Sequence, residues 1–297
     1  MIENRGILSR IRVVLIYIVV VLAGLICFFP LWNMVCQSFS GNAAVVGNKV
    51  TIYPIDFQLN SYQTLLTDAQ FWRSFWTSVK RVVLGWAINI VLIVLAAYPL
   101  SKTEREFRGR NIYMGLFLFA MLFNGGMVPT YLLIKNLGLL NSVWALVLTG
   151  AVPIFNLIMV KNFFLGIPSS LEEAARLDGA TPIQILLKVY IPCSKPVLAT
   201  VSLFSIVGHW NDYFKGLIYM TKIRNYPLMS YIQSISVNLQ EMVENGASAE
   251  ELMAAASISS RSLDAAKIVV AAIPLLLIYP LLQKYLITGI TIGAVKE

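Results

Sequence analysis

The stretch SSLEEAARLDGATPIQILLKVYIP, Ser169 to Pro192, is the most polar part of the second half of a very apolar chain. Its residue order specifies two short helices and a corner. Ser169 and Ser170 are both N-cap types, and Glu172 and Glu173 follow them by three positions, so either pair can form a capping box. Leu171 to Leu177 then supplies strong helix formers. Gly179 suits the left-handed position just past a helix end. Thr181 opens a second helix as N-cap, with Pro182 at the first helical position and Gln184 three residues after the cap. That helix is expected to run to about Tyr190 and to be broken by Pro192. Ala174 and Ala175 give the first helix a small-residue surface that another protein could approach closely. The same features would equally serve an interfacial helix pair that closes a bundle.

The surroundings are those of a membrane protein. Of 297 residues, 58% are hydrophobic and only 13% charged, against about half and a quarter in a soluble domain. The net charge of +8 is read as Lys and Arg flanking spans rather than as a nucleic-acid surface, because no basic stripe interleaves with aromatics. Cys27, Cys36 and Cys193 form no CxxC pair, and a single histidine, His209, excludes a poly-histidine metal site made by this chain alone. No HExxH, GxSxG or GxxxxGK[ST] occurs, so no catalytic residue is assigned and any ATP hydrolysis belongs to another chain.

Hydropathy gives six expected spans. The first is an apolar run from Val13 to Phe29, extended to Trp32, about 20 residues and so about 30 Å as helix. Arg5, Arg10 and Arg12 precede it. A cleaved signal peptide is the rival reading, but the run is long and no small-x-small site follows closely. The others are Val82–Leu100, Asn111–Ile134, Leu139–Val160, Val197–Met220 and a proline-bent span within Ala265–Ile287. "FNGGMVP", Phe123 to Pro129, loosens the third, and Pro153 lies inside the fourth. The basic N terminus and the loop "SKTEREFRGR", Ser101 to Arg110, place both termini in the cytoplasm, although Lys80 and Arg81 at the outer end of the second span count against this. The organisation expected is an N-terminal arm and first span over 1–36, an outer loop over 37–72, and a core over 73–297. That core carries the polar hairpin within a cytoplasmic loop, 164–196, and an outer loop, 221–262, made acidic by Glu241, Glu244, Glu250 and Glu251.

Polar residues in apolar spans are functional candidates, because burying them is costly. Asn89, Asn124, His209, Trp210, Asn211 and Asp212 are the set here, read as lining or gating a path. The plainer alternative pairs Asp212 with Lys215 one turn on and makes Trp210 an interfacial anchor.

Glu173-Ala174-Ala175, Gly179 and the ending Val189-Tyr190-Ile191-Pro192 resemble the EAA loop of bacterial ABC importer permeases, with Val and Ile in place of the family's Ile and Leu. "GHWNDYFKGLIYM", Gly208 to Met220, and the C-terminal "QKYLITGITIGAVKE" are similar to carbohydrate permeases of the maltose-transporter type. "GGMVPTYLLIKNLGLLNS", Gly125 to Ser142, resembles those for oligosaccharides or complex glycans. The resemblance implies an all-α, six-span type I importer permease in the bacterial cell membrane, with the hairpin as its coupling helix. It implies that Glu172, Glu173, Ala174, Ala175, Arg176, Asp178, Gly179 and Ala180 meet a cytoplasmic ATPase. The implied partners are a second homologous permease, two ATPase subunits, an extracellular solute-binding protein, a carbohydrate and membrane lipid. ATP and Mg would reside on the ATPase, with no cofactor in this chain. A secondary transporter, with Asp212 and His209 relaying protons, is the alternative, but it leaves the hairpin unexplained.

Overall fold

The computed structural model describes residues 7–123, 125–235 and 261–294. All regular structure among them is helical. Asn124 and the acidic residues Glu241, Glu244, Glu250 and Glu251 lie outside the described residues. By internal contacts the chain forms two compact units, one from Met1–Ala69 with Ile235–Ala272, the other from Gln70–Ser234 with Ile273–Glu297.

The first unit is led by α1 (Ile7–Ser38), unbroken through Pro30. Every residue from Ile11 to Trp32 is exposed, so the apolar run has lipid as its natural surroundings. Its polar end is tied down. Trp32 Nε1 donates to the Ile52 carbonyl at 2.7 Å, and Asn33 Nδ2 to the Thr51 carbonyl at 2.7 Å. Cys36 packs with Ala44 and Val45 of α2 (Asn42–Val46) and with Val50. Ser38 Oγ lies 2.8 Å from the Tyr62 hydroxyl on α3 (Asn60–Thr67). Segment 37–72 is therefore a folded connection and not a slack one. Ser61 donates to Ser262, and Lys267 meets Asp68, both within this unit.

The second unit begins with α4 (Ala69–Leu100). Its 32 residues start thirteen positions before the expected span at Val82, so the helix reaches well beyond about 30 Å of hydrocarbon. Next come α5 (Arg110–Leu122) and α6 (Met127–Asn136), separated at the Gly-Gly-Pro stretch that the sequence marks as loose. The fourth expected span, Leu139–Val160, is not one helix. It divides into α7 (Val143–Leu148) and α8 (Ile154–Leu165). Pro153 has no N–H to donate and disfavours helical backbone at Val152, so the chain breaks between α7 and α8 and the carbonyls of Gly150 and Ala151 are left without helical partners.

After α8 the chain turns by 74° into α9 (Ser169–Leu177), and the run Pro182–Cys193 meets α12 (Lys195–Asn211) at 83°. Between them lie α10 (Pro182–Ile185), one π turn over Leu186–Tyr190, and α11 (Ile191–Cys193). The helix expected to break at Pro192 therefore continues through it. The wider π turn leaves room for the proline ring against the preceding carbonyls. The fifth expected span is also divided: α12 stops at Asn211, Asp212 is extended with ψ 94°, and α13 (Phe214–Tyr219) follows. The last helix, α14 (Arg261–Ala294), runs through Pro274 and Pro280.

Among the described residues three helices are long and apolar enough to cross a membrane, and three bent helix pairs bring the candidates to six. The core of the second unit gathers Ile93, Val94, Ala97 and Leu100 from α4, Leu157, Val160 and Phe164 from α8, and Val197 and Val201 from α12. Ile185, Leu186 and Tyr190 complete it, so the root of the polar hairpin is part of the core. A smaller cluster joins Ile134, Ala145, Leu146, Tyr219 and Met220, linking α6, α7 and α13.

Candidate functional site

The corner of the hairpin is built as its residues dictate. Gly179 has φ +78°, with open space where a Cβ would stand. Thr181 and Gln184 exchange side-chain and backbone hydrogen bonds in a complete capping box, with Pro182 at the first turn. The start of α9 differs from expectation. Pro168 precedes the helix, and neither Ser169 nor Ser170 caps it. The carboxylate that would complete the first capping box is engaged elsewhere.

That carboxylate is Glu172, and it points inward at 8% exposure. Lys102 Nζ, just past the end of α4, donates to Glu172 Oε2 at 2.5 Å and to the Tyr190 hydroxyl at 2.9 Å. Tyr190 donates in turn to Glu172 Oε2. The Lys102 ammonium stands 4.2 Å from the Tyr98 ring centre and 4.3 Å from that of Tyr190, within cation–π range. The two rings meet edge to face, and Phe164 packs on Tyr190 in the same way. Arg176, one turn along α9, donates to Glu172 Oε1 and to Glu106 Oε1, each at 2.7 Å. Glu106 also accepts from the Thr103 backbone and hydroxyl. Two cations and two carboxylates thus join α9 to the end of α4 and the loop after it.

Burial pushes the Glu172 carboxyl up, but hydrogen bonds from Lys102, Tyr190 and Arg176 outweigh it and hold the group below the ordinary glutamate value. Glu106 is likewise held down, first by the Thr103 backbone N–H. Burial, then the Glu172 carboxylate, raises the Tyr190 phenol.

Opposite this inward face lies an open one. Glu173, Ala174, Asp178 and Gly179 are exposed, and Ala175 and Ala180 are half-buried. Leu177 is 89% exposed and Ile183 69%. Of these two apolar side chains at the tip of a charged hairpin, Leu177 reads in sequence only as a helix former and Ile183 is not singled out. The structure therefore separates the two glutamates: Glu172 faces the protein, Glu173 faces away.

The intramembrane polar residues form a second cluster. Arg81, fully buried on α4, donates to both the carbonyl and Oδ2 of Asp212, each at 2.5 Å. Asp212 also has Lys215, the partner expected from sequence, at 3.4 Å. Arg81 is the partner the sequence reading missed, since it counts there as an outer flanking charge. Asn89 Nδ2 donates to the freed carbonyls of Gly150 and Ala151 at 2.9 and 2.8 Å. Its Oδ1 accepts from Ser205 at 2.6 Å and lies 3.1 Å from His209 Nε2, so that ring nitrogen is the donor there. Gly85 lets the His209 ring approach α4; a Cβ at that position would collide with it. Trp210 packs edge-on against Phe75 and is buried, whereas Asn211 is exposed. Asn89 and His209 thus spend their hydrogen bonds inside the fold. Among the described residues no group of three or more His, Cys, Asp or Glu could hold a metal.

Residues 86–292 match the family described as the binding-protein-dependent transport system inner membrane component. The chain belongs to this permease family. A polygalacturonan/rhamnogalacturonan transport system permease protein of Bacillus subtilis, YtcP, is 38% identical over 97% of this chain and 99% of its own. Protein LplC of the same organism is 38% identical over 92% of this chain and 90% of its own. A chain from the crystal structure of a bacterial ABC transporter involved in import of the acidic polysaccharide alginate superposes with a TM-score of 0.81. It is 32% identical and covers 95% of this chain and 99% of its own. Membership makes the chain a membrane permease of a binding-protein-dependent ABC importer and sets aside an ion-driven secondary transporter. The hairpin lies wholly within the matched region, whereas Arg81 precedes it.

Because Glu172 titrates below its unfolded value, its ionised form stabilises the folded permease fully above about pH 4.5, and that contribution fades as pH falls through the lower folded value. The melting temperature of wild type in detergent should therefore fall toward that of Glu172→Gln as the pH is lowered below about 4.5, and not above it. A constant gap between the two would contradict the burial of an ionised Glu172. Arg81→Met should destabilise the fold, by less than the about 3–5 kcal/mol of a fully orphaned buried charge because Lys215 stays 3.4 Å from Asp212. Arg81→Met with Asp212→Leu should recover most of this in the same melting assay.

Proposed function

We propose that this chain is one permease of an ATP-driven carbohydrate importer, and that the hairpin Ser169–Pro192 couples it to a separate ATPase. The observation that carries the reading is the hairpin's division into a root within the apolar core and an exposed tip at Leu177, Gly179 and Ile183. Such an element transmits force: a partner that grips the tip moves the core with it. The tip offers Glu173 to a basic residue, Ala174 for close approach and Leu177 as an apolar anchor.

On this reading the chain forms half of the translocation path beside a second homologous permease. Two ATPase subunits, which bring ATP and Mg, sit on the hairpin side, and an extracellular solute-binding protein delivers the sugar. The chain has no catalytic role of its own. Both termini and the hairpin lie in the cytoplasm, supported by the basic stretch Ser101–Arg110 beside the hairpin. Burial of Arg81 in an ion pair removes one of the two charges that count against this orientation. Asn211 and Asp212 flank the path where α12 breaks. The acidic polymers named for two similar proteins make uronate-containing oligosaccharides the first substrates to test.

Gly179→Leu forces a β-carbon into a left-handed conformation that costs about 1–2 kcal/mol, and Glu173→Arg reverses the exposed charge. Each variant should insert normally yet lose ATPase association and oligosaccharide uptake in membrane vesicles. Retention of both properties by both variants would refute the coupling role.

A further inference from the structure

Lys102 follows the end of α4 by two residues and is only 9% exposed. A lysine in a loop normally carries its ammonium into water. Here the ammonium turns inward, between the Tyr98 and Tyr190 rings and against the Glu172 carboxylate. Three separate stretches converge on this one nitrogen: the end of α4 through Tyr98, α9 through Glu172, and the π turn through Tyr190. The second limb of the hairpin has its own apolar anchorage through Ile185, Leu186 and Tyr190. In α9 only Glu172 is fully buried, with Ala175 half-buried against the core, so polar contacts supply most of that limb's anchorage.

We infer that Lys102 is a positioning residue for coupling, clamping α9 to the end of α4 so that Glu172 acts within the permease and Glu173 alone of the two faces the ATPase. The inference rests on the coupling role proposed above. Motion imposed on the tip passes through α9 and Glu172 into Lys102 and thence into the long α4. Arg176 and Glu106 brace the same joint from its exposed side. Without Lys102, Glu172 is a buried carboxylate short of a cation. α9 then swings out to hydrate it, while α10 and the π turn stay in the core.

The test uses the assembled importer in nanodiscs, with wild type, Lys102→Met, and Lys102→Met with Glu172→Met. Hydrogen exchange over Ser169–Leu177 should rise about tenfold or more in Lys102→Met, as expected when a hydrogen bond between charged groups is lost. Exchange in α8 should not change. The double variant buries no orphan charge and should regain protection. ATP hydrolysis is read with and without the solute-binding protein. Lys102→Met should keep the ATPase bound and its basal rate intact but lose stimulation by the binding protein, a loss that lower stability alone would not produce. Should Lys102→Met fail to fold, Tyr190→Phe removes a single hydroxyl from the joint and should give an intermediate rise in exchange. Wild-type protection together with wild-type stimulation in Lys102→Met, or in Tyr190→Phe where that variant is used, would overturn the clamp. If the wild-type chain binds no ATPase, the coupling role fails and the clamp's role in coupling is overturned with it; exchange in the chain alone then reports only whether Lys102 holds α9.

Discussion

A carboxylate cannot stay ionised at 8% exposure without cations at hand, and Glu172 has two. Lys102 reaches it from the end of α4 and Arg176 from the next turn of its own helix. This requirement fixes where α9 lies, because Glu172 must reach the Tyr98–Lys102–Tyr190 joint. It also decides which side of α9 is left outward: with Glu172 turned in, Glu173, Ala174 and Leu177 face away. The tip is thus presented by a scaffold whose first limb is held mainly by charge, with Ala175 against the core, and whose second limb is held by apolar packing. Removing one cation from such a joint costs more than the ion pair gains on its own, since the carboxylate stays buried with half its countercharge gone.

The same constraint governs the polar residues of the spans. Backbone groups freed inside an apolar medium must find partners. Pro153 frees two carbonyls, and Asn89 supplies both donors from α4. The extended turn at Asp212 exposes a carbonyl and a carboxylate, and Arg81 satisfies both. Each of these two breaks is therefore matched by a polar side chain of α4, which makes that helix the common partner of both and of the hairpin root.

The sequence makes some of this legible and hides the rest for physical reasons. Gly179, Thr181, Pro182 and Gln184 act through contacts a few residues apart, so the corner can be read directly. The loosened third span is announced by local glycines and a proline. The α7–α8 and α12–α13 breaks are harder to see. Apolar composition continues across them, and their stabilising partners, Asn89 and Arg81, lie more than sixty residues away. The capping box expected at Ser169 fails for the same reason, because long-range partners outbid a local one for Glu172. Lys102 reads as one more flanking charge, and only packing reveals that its ammonium is enclosed. Leu177 and Ile183 carry a usable signal in retrospect, as apolar residues at the corner of an otherwise polar hairpin.

Coupling through the tip is tested most directly by placing a photo-crosslinking amino acid at Leu177, which is 89% exposed, and at Leu186, which is 4% exposed, in the chain expressed in its host. Irradiation should join position 177, and not position 186, to a second chain carrying the GxxxxGK[ST] phosphate loop of an ATPase. A crosslink from Leu177 to lipid alone, or none to such a chain in an assembled and active importer, would contradict the coupling role of the hairpin.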